Sequence, residues 1–213
     1  MRSDPWALIH AERRALLIDV QRLTPEQWTV FSLCAGRTVR DTLAHMAATA
    51  RMTPPAFFTK LARARFRFDV MTDREIRELT HGRPATTLNA FAEQIDSTDH
   101  PPGPVDSWLG ETVVHAEDIR RPLGIVHRYP EEALVRCADL YRGSNLLIGG
   151  KKRVDALHLT ATDADWSAGE PGEGNEVRGP MIDLLLAITG RPAALETLSG
   201  TGVSTLAGRL SRR

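Results

Sequence analysis

Apolar residues recur at helical spacing through the first two thirds of the chain. Trp6, Ile9, Leu16, Val20 and Leu23 fall on one stripe. Asp4 as N-cap and Pro5 at the first helical position predict a helix from there to about Leu23. Thr24 and Gln27 have the form of a capping box and predict a short turn of helix around Trp28. Thr38 with Asp41 marks the next start, and Leu43, Met46, Ala47 and Ala50 carry the stripe until Pro54 and Pro55 end or kink the helix. From Ala56 to about Leu79 the pattern is helical but broken, with another capping-box form from Thr72 to Glu75. Past Pro84, Leu88, Phe91 and Ile95 predict one more short helix, and Asp99 to Pro104 is loop by composition. A helix is then predicted from Val105–Ser107 to the Pro122 and Gly124 stop, and another from Pro130 to Gly143 with Leu134, Cys137 and Tyr141 on one side.

After Gly149 and Gly150 the period changes. Leu157, Leu159 and Ala161 alternate with His158 and Thr160, which predicts a strand over Val154–Ala161, with a second short strand through Trp166. Glu170 to Gly174 is a turn or loop, followed by Glu176–Arg178. Pro180 opens a helix through Met181, Leu184, Leu185 and Ile188 that Gly190 closes. The tail after Leu198 is glycine-rich and weakly patterned. These elements predict a helical body over residues 1–149 and a small α+β unit over residues 150–213.

Composition narrows the function classes. The 213 residues carry a formal net charge of zero, so no global field favours nucleic acid or an anionic membrane. Lys60, Arg63, Arg65 and Arg67, interleaved with Phe66 and Phe68, form the densest basic patch, and it reads as a solvated helix face with apolar anchors. No apolar run approaches the roughly 18–20 residues of a membrane helix, and charges stand where a signal peptide would be apolar. The chain is therefore expected to be cytoplasmic, with neither a nucleic-acid nor a membrane partner. Cys34 and Cys137 suggest neither a disulfide framework nor a CxxC site, and read as small apolar residues or incidental thiols. Lysine occurs only at 60, 151 and 152; this arginine bias hints at a GC-rich bacterial genome.

The candidate chemistry sits on the helix before Pro122. Glu111 and His115 are four residues apart, so their Cβ atoms lie roughly 5–6 Å apart on one face. Trp108 and Asp118 share that face. Two readings stand for the pair: a solvated Glu–His contact, or two ligands of one metal ion. His45, on the second helix, is likewise either a partly buried histidine or a ligand. Together the three residues make a His₂Glu set drawn from facing helices, the way bundles build metal sites. Such a set leaves coordination positions for water or substrate.

The segment Leu33-Cys34-Ala35-Gly36-Arg37-Thr38-Val39-Arg40-Asp41-Thr42-Leu43-Ala44-His45 resembles the CxGWTVRDxxAH stretch of the DinB-like mycothiol-dependent maleylpyruvate isomerases. Gly110-Glu111 to Gly124 resembles the GExxVHxxDIRRPLG stretch of that family. Ala161 to Trp166, and Val177-Arg178-Gly179-Pro180 to Pro192, resemble its ATDxDW and VRGPxxxLLLxxxGRP segments. The likeness spans most of the chain in the same order. It implies a mainly α fold, a DinB-like four-helix bundle followed by a small α+β C-terminal domain covering the site. It also implies a divalent metal, usually zinc, on His45, Glu111 and His115, and mycothiol, the low-molecular-weight thiol of actinobacteria, as cosubstrate. One departure is visible: Arg37 stands where the family usually has Trp.

The activity so implied is thiol-assisted cis–trans isomerisation, or thiol transfer to a small electrophile. The alternative on the same scaffold is a non-catalytic metal- or thiol-binding sensor. Arg191 is the candidate for holding a substrate carboxylate, since a guanidinium offers that group two parallel hydrogen bonds; its other reading is a cation at a helix C-terminus. Asp118 either fixes the tautomer of an imidazole or pairs with Arg120 or Arg121.

Overall fold

The structure, a computed structural model, describes residues 3–146 and 148–211. It separates into two compact units, Met1–Arg128 and Tyr129–Arg213.

The first unit contains α1 (Pro5–Val20), α2 (Val39–Ala50), α3 (Pro54–Arg63), α4 (Phe68–Thr80), α5 (Pro84–Ala92) and α6 (Val105–Arg120). Their starts follow from local chemistry. Asp4 accepts from the Trp6 amide at 3.2 Å with Pro5 just inside α1. Thr24 and Gln27 cap each other reciprocally, at 2.9 and 3.4 Å, ahead of a 3₁₀ turn over Gln27–Thr29. Thr38 and Asp41 make a complete capping box on α2. Pro54 and Pro55 both stop α2 and open α3, because proline fits the first turn of a helix and no later position.

Four of these helices close a bundle: α1 packs on α6, α6 on α2, α2 on α5 and α5 on α1, with α4 laid over α2 and α5. The central position of α2 follows from its residues, since Ala44, Ala47 and Ala48 are buried and let neighbouring helices approach closely. Leu16, Val20, Leu43, Met46, Ile76, Phe91 and Ile119 fill the core between them. Arg121–Leu123 forms a 3₁₀ turn after α6, and Gly124 at φ 67° ends it.

The first unit corrects one expectation. The capping-box form at Thr72–Glu75 lies inside α4, where Asp73 pairs with Arg37, and the buried Glu75 pairs with Lys60 and, at 3.7 Å, with Arg51. Those side chains make tertiary ion pairs instead of a helix end. In the same unit, His127 meets the buried Glu12 at 2.8 Å, and His100 lies between Trp6 and Trp108 with ring centroids 5.6 and 5.8 Å away. The basic patch sits at the α3–α4 corner, where Phe58, Phe66 and Phe68 are exposed.

The second unit holds α7 (Glu131–Gly143), α8 (Gly150–Arg153), β1 (His158–Ala161), β2 (Ser167–Ala168), β3 (Glu176–Gly179), α9 (Met181–Ile188) and α10 (Val203–Leu210). The helix at Glu131–Gly143, read in sequence as part of the helical body, packs here against α9. The sheet order is β2-β1-β3, antiparallel between β1 and β2 and parallel between β1 and β3, with Leu159 opposite both Ala168 and Val177. Strand β1 begins four residues later than its alternation suggests, because Leu157 N closes a turn on Val154 O at 3.1 Å. The tail is better ordered than its composition implies. A Cβ at Gly200, whose φ is +113°, would lie 2.3 Å from the Glu176 carbonyl oxygen, so only glycine lets the tail lie against β3 before α10 begins.

The protein is thus mainly α, a four-helix bundle followed by a small α+β domain. No helix among the described residues is long and apolar enough to cross a membrane.

Candidate metal centre

α2 and α6 pack side by side in the bundle, and this brings His45 to the pair on α6. His45, Glu111 and His115 each offer one ligand atom, and the three atoms lie within 4.8 Å of one another. The imidazoles meet edge to face with centroids 5.0 Å apart, and His45 Nε2 is 4.0 Å from Glu111 Oε1.

The electrostatics suit a ligand set better than an ion pair. Burial, then the neighbouring charges of His115 and Arg37, push the His45 pKa down to about 3, so at neutral pH its ring is uncharged and keeps a lone pair. Burial raises the Glu111 carboxyl above its usual range, opposed by His115 and Arg13. Glu111 Oε1 is buried and has no hydrogen-bond partner among the described residues. A carboxylate oxygen left in that state costs free energy unless a cation or donor meets it.

His115 is oriented from behind. Its Nδ1 is 2.8 Å from Asp118 Oδ2, and Asp118 is fully buried. With a carboxylate as acceptor, Nδ1 donates and Nε2 is left with the lone pair, the arrangement found behind metal-bound histidines. Of the two readings of Asp118, the structure places it on the imidazole. Arg121 pairs with Glu117 at 3.0 Å, and Arg120 with Asp19 at 2.8 Å. The uncharged imidazole, the orphaned carboxylate oxygen and the carboxylate-backed histidine together fit a divalent cation. Asp118→Asn should lower zinc affinity about 10–100-fold with the fold intact, checked by competition against a zinc chelator.

Two neighbours escaped the sequence reading. Cys34, Asp118 and His115 also present ligand atoms within 4.8 Å of one another. The loop bearing Cys34 is tied to α6 by Leu33 N donating to Asp118 O at 3.0 Å. Arg13 on α1 is buried, donates to the Gln94 and Ser97 carbonyls at 3.0 and 2.9 Å, and acts electrostatically on Glu111. Its signal was present: Arg13 lies on the Ile9–Leu16–Val20 stripe, where a charge needs a buried partner.

Arg191 belongs to the second unit. It follows α9 and donates from Nη1 to Thr189 O at 2.8 Å; burial first, and then the charge of Arg191, lower the pKa of Arg153.

The sequence model of the mycothiol maleylpyruvate isomerase N-terminal domain matches residues 9–141, more than half of the chain. The chain belongs to this family. Solved structures of the mycothiol-dependent maleylpyruvate isomerase and of its His-to-Ala mutant are similar to it, with TM-scores of 0.63 and 0.62. Each is 15% identical and covers 92% of this chain and 91% of its own. At that identity the likeness shows a shared fold. No curated protein matches the chain. Within the matched maleylpyruvate isomerase segment lie all three members of the His₂Glu set, Asp118 and Cys34.

Proposed function

We propose that this protein is a divalent-metal-dependent, mycothiol-using enzyme acting on a small electrophile in the cytoplasm. The observation that carries the reading is the buried Glu111 oxygen, without a hydrogen-bond partner among the described residues, beside two histidines, one uncharged and one backed by Asp118. His45, Glu111 and His115 are the proposed ligands, with zinc the metal best suited to imidazole and carboxylate in an open three-ligand set. A cation held there supplies a Lewis acid, which favours the thiolate form of a thiol.

The chain's own residues then have separable tasks. Asp118 holds the His115 proton on Nδ1 and fixes the ring. Arg13 balances the charge of Glu111 from α1. Arg191 is the proposed contact for a substrate carboxylate, with Arg153 adding a second positive charge near it. The reaction is addition of the mycothiol sulfur to one carbon of an electron-poor cis double bond. The electron pair moves onto the activating carbonyl, the new single bond rotates, and the sulfur leaves as the trans double bond re-forms. With a leaving group on the electrophile, the same attack gives thiol transfer.

The test is incubation of zinc-loaded protein with mycothiol and a panel of activated cis-alkenes and alkyl halides. Isomerised product or consumed thiol, above the rate without protein, is the expected result. A zinc-loaded protein that binds mycothiol and turns over no member of the panel is the sensor instead.

A further inference from the structure

The corner between α3 and α4 holds aromatic rings in solvent on a strained backbone. α3 ends in two bonds, Arg65 N to Ala62 O and Phe66 N to Leu61 O, each 2.9 Å, the pattern that closes a helix on a residue in the left-handed region. Glycine fills such a position without strain. Here Arg65 and Phe66 take it in succession, at φ 54° and 60°. A bulky residue kept in this conformation points to a side chain used where the turn puts it. Phe66 is 79% exposed, with Phe58 and Phe68 at 58% and 57%.

No residue of α3 is buried, although Phe57, Phe58, Leu61 and Ala62 share one face at helical spacing. Phe57 joins Phe58 and Phe68 into one apolar knob, with ring centroids 5.5 and 6.4 Å away. The charge around it is of one sign: residues 54–68 carry Lys60, Arg63, Arg65 and Arg67 and no acid. Lys60 pairs with Glu75, and Arg67 pairs with Asp69 at 3.1 Å, largely in solvent. Arg63 and Arg65 have no ion-pair partner among the described residues. The zero net charge of the whole chain conceals this local excess.

We propose that the α3–α4 corner docks the protein on an anionic lipid surface. Phe58, Phe66 and Phe68 enter the boundary between headgroups and acyl chains, and Arg63, Arg65 and Arg67 meet lipid phosphates. A contact of this kind lies on the membrane and needs no spanning helix. It does not depend on the reading of the metal centre. The complementarity is twofold: phenyl rings leave water with a gain only into an apolar layer, and guanidinium groups match phosphate oxygens. Single-stranded nucleic acid stacks its bases on separate aromatic faces along a basic groove. Here Phe57 and Phe58 meet edge to face at 79° and Phe68 leans on the same ring, so the rings serve one another and a lipid surface is the better match. Attachment through one short helix and a turn is weak, reversible and sensitive to salt.

The test sediments the full chain with sucrose-loaded vesicles of phosphatidylcholine alone, or of equal parts phosphatidylcholine and phosphatidylglycerol. The protein should go down with the anionic vesicles only, and should be released at about 1 M salt, where the Debye length is about 3 Å. Arg63→Gln with Arg65→Gln should lower the partition coefficient about fivefold for each charge removed. Phe66→Gly deletes the ring and relieves the left-handed strain. It should therefore lower binding about tenfold while unfolding at no lower temperature than the unmodified protein. Phe66→Trp should keep binding, and on anionic vesicles its emission should move to shorter wavelength by more than that of the unmodified protein, because an indole settles at the headgroup level. Several results would each overturn the proposal: no sedimentation with anionic vesicles, equal sedimentation with both kinds, or binding unchanged in the arginine or the Phe66→Gly variant. The same holds for an arginine-dependent affinity for oligothymidylate or polyglutamate with none for vesicles, which would assign the corner to nucleic acid or to an acidic protein.

Discussion

His45→Ala should remove stoichiometric zinc from the purified protein, the largest change in metal content expected of any single substitution outside α6. Losing the carboxylate behind a ligand lowers metal affinity about 10–100-fold, and losing the ligand itself should exceed that. Only Glu111 and His115 would remain of the set, both on one helix and unable to enclose a cation from two sides. The imidazole is uncharged at neutral pH, with its pKa near 3, so its removal deletes a donor without deleting a charge. The helix should survive: His45 is 24% exposed in the side chain, while Leu43, Ala44, Met46 and Ala47 around it supply the packing. Metal analysis after dialysis against a weak chelator, with circular dichroism as the control for folding, checks both parts. Stoichiometric zinc retained by the variant would remove His45 from the set and turn attention to Cys34, whose own group with His115 and Asp118 has His115 in common with it.

How much of this was legible in the sequence depends on the range over which each residue acts. Helix starts were read well because their signals are local: Asp4, Thr24 and Thr38 each bond an amide two or three residues away. The Glu111–His115 face was legible for the same reason, since one helix turn fixes it. Thr72–Glu75 misled because the same residue types serve caps and ion pairs alike, and only the position of Arg37 and Lys60 decides between them. The glycine-rich tail misled for a different reason. Gly200 and Gly202 are there for close backbone contact with β3, which leaves no periodic signal even though a helix follows.

The residues around the candidate site were hardest to read because their partners are far away in sequence. Cys34 has no ligand-spaced neighbour within its own loop, and its proximity to His115 arises from one backbone hydrogen bond between Leu33 and Asp118. Arg13 is separated from its carbonyl partners by more than 80 residues. Its place on an apolar stripe was the readable sign, and the same holds for the buried Glu12 one position before it. A charge on a core-facing stripe predicts a buried partner without naming it.

Arg120→Ala should give one of the largest losses of stability in the chain, about 3 kcal/mol. Arg120 ends α6 wholly buried, and its Nε donates to Asp19 Oδ2 on α1 at 2.8 Å. Burial raises the carboxyl pKa of Glu12, and the charge of Arg120 opposes that rise behind the pairing with His127. Alanine would leave two carboxylates on α1 with less compensation and open a void the size of a guanidinium and its stem. Breaking a buried pair from one side costs about 3–5 kcal/mol. Asp19 keeps 25% of its side chain in solvent, which puts the expected loss at the lower end of that range. For a chain of this size that corresponds to a fall of roughly 6–12 °C in Tm. Thermal unfolding followed by circular dichroism reads the loss, and Arg120→Met with Asp19→Asn should recover much of it, since the double change removes both charges and refills the space. α1 and α6 are the helices that carry Arg13 and the Glu111, His115 and Asp118 face. The Arg120–Asp19 pair therefore holds the register between the helix that bears the proposed ligands and the helix that carries Arg13. If Arg120→Ala unfolds no earlier than the unmodified protein, packing between α1 and α6 alone sets that register.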